Sequence, residues 1–223
     1  MGVLSPNENK SDEQAIRFEL VNSKNLLLIF TRNPELGKCK TRLAATVGEN
    51  VALEIYKFLL QHTANITKNL YATKHVYYSE GIWEDDTWDN AIFNKKIQEG
   101  SDLGVRMHNA FLEGFKNDFE HIIVIGSDMY DLSQEDIEQA FIQLNTNDYV
   151  IGPATDGGYY LLGMKTLNSD IFKNKSWGTN TVLKDTLKDL ENTKTHILEA
   201  KNDVDIYEDI QNIKAFTPFI KNI

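Results

Sequence analysis

The chain alternates short apolar runs with longer amphipathic stretches. Residues 26–31, Leu-Leu-Leu-Ile-Phe-Thr, form an unbroken apolar run of strand length, which predicts a strand covered on both faces. Residues 41–47 and 50–69 read as helix, with Val51, Ile55, Phe58 and Leu59 on one face and a break near Gly48. A second strand is predicted at 75–78. Segment 80–91, with two tryptophans and a cluster of acids, reads as an exposed loop. A short strand near 93–98 leads into a helix at 102–117. The cleanest strand of the chain is His-Ile-Ile-Val-Ile-Gly at 121–126. A helix follows at 133–145, with Ser133 as N-cap and Asp136 at the third helical position in place of the usual Glu. Strands at 149–152 and 159–164 flank a Gly157-Gly158 turn. A helix at 180–192, a strand at 194–199 and an acidic helix from 206 complete the pattern.

Repeated strand–helix alternation predicts a mostly parallel sheet with helices on both faces. Too little chain precedes 157–164 for a crossover helix, so that strand is expected to run antiparallel. One domain is expected over 24–223, after a polar, flexible extension at 1–23. The formal net charge of −10 lacks the basic footprint of a nucleic-acid binder and opposes anionic membrane surfaces. Small phosphorylated ligands stay compatible, because a local cluster of cations can oppose the global sign. Cys39 is the single cysteine, so no intrachain disulfide is available, which fits a cytoplasmic location. No apolar run reaches the length of a membrane helix, and the first residues lack the basic start and apolar core of a secretory signal. Nothing in the pattern indicates an oligomeric state.

Four motifs fall at or just beyond strand ends, where open α/β sheets bind ligands. The first is Arg32-Asn-Pro-Glu-Leu-Gly-Lys-Cys-Lys-Thr-Arg42. It fails as a P-loop: Arg32 occupies the place of the first glycine and Cys39 that of the Ser or Thr. It still suits an anion, with Gly37 for close backbone approach, Lys38, Lys40 and Arg42 for charge, and Thr41 opening a helix whose free N–H groups face the loop. The second is Gly126-Ser-Asp-Met-Tyr-Asp131, where a buried strand delivers Asp128 at its tip as a rigid candidate metal ligand. The third, Gly152-Pro-Ala-Thr-Asp-Gly-Gly-Tyr-Tyr160, is a constrained turn in which Asp156 is a candidate functional acid. The fourth, Asn202-Asp-Val-Asp205, gains meaning only if it folds beside Asp128, because adjacent carboxylates repel and a Mg²⁺ or Mn²⁺ between them reverses the sign. A fifth stretch, 98–107, could face a ligand through Arg106 and the backbone of Gly100–Gly104.

In this order the motifs GKCKTRL, QEGSDLGVRM, IGSDMYDL, GPATDGGYYLLGM, SWGTNTVLKDT and NDVDIYEDI resemble the domain of unknown function 2064 (DUF2064) family. That family lies in the GT-A, or nucleotide-diphospho-sugar transferase, superfamily, and is more distantly similar to molybdenum-cofactor and phospholactate guanylyltransferases. The resemblance implies a three-layer α/β/α GT-A fold with a mixed, mostly parallel sheet. It implies a metal-dependent transferase using a nucleotide-sugar donor and a small-molecule acceptor. A nucleotidyltransferase joining an NMP to a phosphorylated acceptor is the alternative, and a non-catalytic nucleotide-binding protein a second one. Asp128 would be the principal ligand of Mg²⁺ or Mn²⁺, completed by Asp203 or Asp205. Gly37, Lys38, Lys40, Thr41, Arg42, Gln98, Asp102 and Arg106 would face nucleotide and phosphates. Asp156, Gly157, Gly158 and Tyr159 would border the acceptor or sugar pocket, with Asp128, Lys40 and Asp156 as catalytic candidates. Tyr130 departs from the family pattern, which has proline there and so presets the turn after the acid.

Overall fold

A computed structural model describes residues 23–221, in which seven strands form one sheet in the order β3-β2-β1-β4-β6-β5-β7. The strands are β1 (Asn25–Thr31), β2 (Thr73–Tyr78), β3 (Phe93–Ile97), β4 (His121–Gly126), β5 (Tyr149–Pro153), β6 (Tyr159–Met164) and β7 (Thr195–Ile197). The helices are α1 (Thr41–Val47), α2 (Glu49–Thr67), α3 (Leu103–Lys116), α4 (Gln134–Leu144), α5 (Val182–Asp189) and α6 (Thr217–Ile220). Only β6 runs against its neighbours, pairing antiparallel with both β4 and β5. The expected antiparallel strand is therefore present, and the sheet is mixed and mostly parallel.

The central strands are apolar on both sides because both faces are covered. On one face Leu27, Ile29, Ile123 and Ile125 pack with Tyr56, Leu60 and Ala64 of α2 and with Ile137, Ala140 and Leu144 of α4. On the other face Leu26, Leu28, Ile122 and Val124 pack with Met107, Ala110 and Phe111 of α3, with Leu183 and Leu187 of α5 alongside. Period-2 alternation thus sorts each strand between two cores. A third, smaller cluster joins Leu43 and Val47 of α1, Ile55 and Leu59 of α2, and Val204, Ile210 and Phe216 of the C-terminal segment.

Parallel pairing of β1 with β2 and β4 sets Thr31 opposite Tyr78 and Phe30 opposite Gly126. The loops after these strands therefore leave the sheet side by side at its carboxyl edge. Gly48, at φ +85, gives the break between α1 and α2. The expected Ser133–Asp136 capping box at the start of α4 is present.

Three expectations are corrected. Segment 80–91 is not simply exposed: Trp88 is buried against Phe93, and Asp86 meets Lys95 at 2.9 Å in a nearly dry ion pair. No acidic helix starts at 206; two 3-10 turns, Tyr207–Asp209 and Lys214–Phe216, precede the short α6. Asp209 spends its carboxylate on the backbone N–H groups of Asp205 and Ile206, so it stabilises a turn rather than a helix face. The helix expected over 180–192 covers only Val182–Asp189. The proposed N-terminal extension lies outside the described residues except Ser23, whose Oγ donates to the Tyr71 carbonyl at 3.3 Å.

Candidate active site

The loops at the carboxyl edge enclose a cleft of about 930 Å³. Lys38, Lys40, Thr41 and Arg42 of the first loop line it together with Gln98, Asp102, Arg106, Asp128 and Asp205. Motifs separated by more than 160 residues in the chain thus meet around one space; Arg42 and Asp205, for instance, are 163 positions apart.

Lys40 sits at the centre. It takes a left-handed backbone conformation, φ 50° and ψ 46°, at the residue before α1. This unusual conformation turns its side chain inward, where it is only 6% exposed and meets Asp128 Oδ2 at 2.8 Å. Burial disfavours the ammonium, but the Asp128 carboxylate, helped by Asp203 and Asp205, more than offsets this and raises the Lys40 pKa. Asp128, at the tip of β4, remains 43% exposed to the cleft.

Two other cations of the first loop also face carboxylates. Arg42 donates to Asp205 Oδ2 at 2.8 Å, and Lys38 meets Glu35 at 2.7 Å and Glu80 at 3.8 Å. Gly37 supplies the turn at φ +73. Lys40, at the N-cap of α1, makes no side-chain cap hydrogen bond, and Thr41, the first helical residue, lines the cleft.

A buried polar layer holds this loop on the sheet. Tyr56 Oη accepts from the Arg32 N–H at 3.0 Å and donates to the Arg32 carbonyl at 3.2 Å. Ser127 Oγ donates to Thr31 Oγ1 at 3.0 Å, tying the tips of β1 and β4. Asn33 reaches the loop after β2, donating to the Gly81 carbonyl at 2.6 Å. Cys39 is enclosed here, its thiol donating to the Asn33 carbonyl at 3.2 Å, and burial pushes its pKa up. Both features suit a packing side chain better than a thiolate nucleophile.

Across the cleft, Gln98 donates to the carbonyls of Thr31 and Tyr77 and accepts from Arg106 at 3.3 Å. Arg106 also donates to the Gly100 carbonyl at 3.1 Å. Asp102 caps α3 by accepting from the Val105 N–H at 3.0 Å, so its carboxylate serves the helix first.

The Asp156 turn stands beside the cleft rather than in its wall. Asp156 Oδ1 accepts from the Gly158 N–H at 2.8 Å. Gly157 has φ +91, and a Cβ there would fall 2.3 Å from the Asn180 carbonyl oxygen, so only glycine fits. Its carbonyl accepts from Leu183 N–H at 3.0 Å, locking the turn to the start of α5. Tyr159 lines a separate, smaller cavity.

The sequence profile of the family described as an uncharacterised protein conserved in bacteria, DUF2064, matches residues 62–179, more than half of the chain. The chain belongs to the DUF2064 family. A crystal structure from Desulfovibrio desulfuricans, provisionally named a nucleotide-diphospho-sugar transferase, is 29% identical and superimposes with a TM-score of 0.80, covering 89% of this chain and 94% of that one. A cytidylyltransferase from Leptospira borgpetersenii is 14% identical with a TM-score of 0.56, over 89% of this chain and 88% of that one. The 4-diphosphocytidyl-2C-methyl-D-erythritol synthase of Anaerococcus prevotii is 11% identical with a TM-score of 0.56, over 89% and 98%. These last two share the fold. No curated protein matches significantly in sequence. The DUF2064 chain therefore has the nucleotide-diphospho-sugar transferase fold.

Within this DUF2064 chain the two late acids differ. Asp205 is engaged by Arg42 and lines the cleft. Asp203 is in no ion pair among the described residues; burial, then the charges of Asp156 and Asp128, raise its pKa, while Lys40 acts the other way. Three carboxylates thus share one negative field, offset chiefly by Lys40. The donor set is all oxygen, which suits a hard divalent cation. Among the described residues no three acidic, His or Cys side chains form a ready-made cage. Mg²⁺ does not need one, since it commonly takes one or two carboxylates and completes its shell with phosphate oxygens and water.

Sequence reasoning missed Arg32, Asn33, Tyr56, Ser127 and Asp209. Arg32 lines the cleft with no carboxylate partner among the described residues, and its place directly after β1 was the available signal. Tyr56 lay hidden in a helix face that reads as core.

Proposed function

We propose that the cleft binds the diphosphate of a nucleotide-sugar and that the protein transfers the sugar to a small acceptor with help from Mg²⁺ or Mn²⁺. The observation that carries this reading is the buried Lys40 ammonium 2.8 Å from Asp128 at a strand tip, in a cleft that also presents Arg32, Lys38, Arg42 and Arg106. Five basic side chains line this cleft of an acidic protein against four carboxylates, Glu80, Asp102, Asp128 and Asp205, and Arg32 and Arg106, which have no carboxylate partner among the described residues, support an anion site. The name of the Desulfovibrio relative supports the sugar donor.

Asp128 and Asp203 would hold the ion, with Asp205 kept in place by Arg42. The ion supplies neutralisation of diphosphate oxygens, which makes the nucleoside diphosphate a better leaving group. Lys40 donates hydrogen bonds to the departing diphosphate as negative charge builds on it, and Arg32 and Arg42 orient its oxygens. Gln98 and Arg106 form the opposite wall and orient the nucleoside. Asp156, outside the cleft wall, fixes its turn and adds to the negative field at Asp203 rather than touching the donor.

A second reading, nucleotidyl transfer from a triphosphate, draws support from the density of cations on the first loop, since a triphosphate carries more charge there. Two assays separate the readings. Hydrolysis of nucleotide-sugars without pyrophosphate release supports sugar transfer. Pyrophosphate release from triphosphates overturns it in favour of nucleotidyl transfer.

A further inference from the structure

Arg106 is held as a fixed fork at the far wall of the cleft. Its Nε donates to the Gly100 carbonyl at 3.1 Å and its Nη1 to Gln98 Oε1 at 3.3 Å. Gln98 is anchored in turn, its amide nitrogen donating to the Thr31 and Tyr77 carbonyls at 3.1 and 2.9 Å. Gly100 packs directly on the first turn of α3. It has φ +146, and a Cβ there would fall 2.7 Å from Val105 Cγ1 and 2.8 Å from the Arg106 backbone nitrogen. The preceding residue is tied to α3 by Asn109, which donates to the Glu99 carbonyl at 2.9 Å. The guanidinium is therefore oriented before any ligand arrives.

Two of its N–H groups are spent in this way, and no carboxylate takes the rest among the described residues. The remaining N–H groups share one plane on a side chain that lines the cleft, and they only donate. The acceptors nearby are already engaged. Gln98 Oε1 serves Arg106 itself, and the Asp102 oxygens accept from the Val105 N–H at 3.0 Å and the Ser101 hydroxyl at 3.2 Å. Arg106 also belongs to a different part of the sheet edge from Asp128. It follows β3 and Asp128 follows β4, three strands apart, or about 14 Å at the usual strand spacing. Phosphates held at Lys40 and Asp128 thus leave Arg106 for the other end of a nucleotide. Phe30 and Leu103 line the same space and offer apolar surface to a base.

We infer that Arg106 selects the base of the donor: one whose edge carries two adjacent acceptors, O6 and N7 of guanine or O2 and N3 of cytosine, in preference to adenine and uracil. Both of those edges match a planar fork that only donates. Adenine sets its amino donor beside N7 and beside N1, and uracil sets N3–H between its two carbonyls, so each turns an N–H against the guanidinium. This rests on the nucleotide reading of the cleft and adds the class of base.

The test titrates GDP, CDP, UDP and ADP into the full chain by calorimetry at saturating Mn²⁺. GDP, CDP or both should bind about tenfold more tightly than ADP and UDP, the worth of one bidentate pair. The analogue of the preferred base that lacks one acceptor, 7-deaza-GDP or 3-deaza-CDP, should lose that advantage on the wild-type protein, where no variant has to fold. Arg106→Lys keeps the charge and loses the fork, and should bring the four nucleotides within about threefold of one another. Tightest binding of ADP or UDP, four equal affinities in wild type, an undiminished deaza analogue, or a preference that survives in Arg106→Lys would each overturn the role of Arg106 while the nucleotide site stands. Binding of none of the four would overturn the nucleotide reading itself, and the base assignment with it.

Discussion

At the residue scale, the proposed function rests on a few unusual side chains. Lys40→Met keeps the buried stem but deletes the charge. It should lower turnover of a nucleotide-sugar by about 100-fold, as losing one preorganised donor commonly does; steady-state kinetics at saturating donor read it. Arg32→Ala leaves Lys40 and Asp128 untouched and should raise KM for the donor about tenfold with a smaller change in kcat, a split that marks ground-state binding. Far from the cleft, His75 offers a stability test. Burial, then the charge of Lys96, pushes its pKa down to about 4 from the ordinary 6.5, against an opposing pull from Glu113. Between those values the unfolded chain binds a proton that the folded chain does not. Stability should therefore fall as pH drops from 6.5 to 4, by about 3 kcal/mol across the window. His75→Leu should flatten most of that slope in urea titrations across pH, His121 accounting for a remainder because its pKa is also lowered. At this scale the sequence put Asp128 just beyond a strand end and Lys40 in the loop after β1, and the structure brings the two side chains to 2.8 Å. The sequence was silent where a role depends on a distant partner, as for Tyr56, which clasps both backbone groups of Arg32.

At the scale of elements, the site is held by packing between segments remote in sequence. Tyr130 stands where the family pattern has proline, and the structure shows what it does. Its ring lies 5.9 Å from Phe58, 5.0 Å from His62 and 5.0 Å from Phe216 by centroids. The loop after Asp128 is thus anchored by aromatic packing on α2 and the C-terminal segment, instead of by a preset proline turn. Tyr130→Ala should cost about 2 kcal/mol in denaturant unfolding and weaken metal–nucleotide coupling, while Tyr130→Phe, which keeps the ring, should match wild type. Asp209→Ala should act on the same wall by releasing the turn that presents Asp203 and Asp205. It is expected to weaken metal binding about tenfold, the usual effect of losing a partner that orients a ligand. The strands were legible because their apolar runs leave few alternatives, and β4 and β6 carry the boundaries read from pattern alone. The acidic helix after 206 was misread because acids at helical spacing look alike whether they face solvent or, as Asp209 does, cap local backbone. The order of the sheet, and with it the meeting of Arg42 and Asp205, is set by pairings that no local window contains.

At the scale of the whole molecule, an acidic chain of net charge −10 carries a cleft with five basic side chains. The global field opposes an anion, so on the proposed reading donor affinity rests on the local charges of the cleft and should fall as salt screens them. The two-sided core and the buried layer of Thr31, Ser127 and Tyr56 make that cleft a fixed feature of the sheet edge. The central claim is that Asp128 and Lys40 organise one joint site for a divalent ion and a nucleotide diphosphate. Thermal unfolding with UDP, with Mn²⁺, with both, and with neither tests it most directly. Ligand at about 100 times its Kd adds about 2.7 kcal/mol, which for a chain of this size corresponds to a melting shift of about 5–10 °C. The shift with both ligands should exceed the sum of the separate shifts, and Asp128→Ala should remove the excess. Strictly additive shifts in wild type, or an undiminished excess in Asp128→Ala, would contradict the claim.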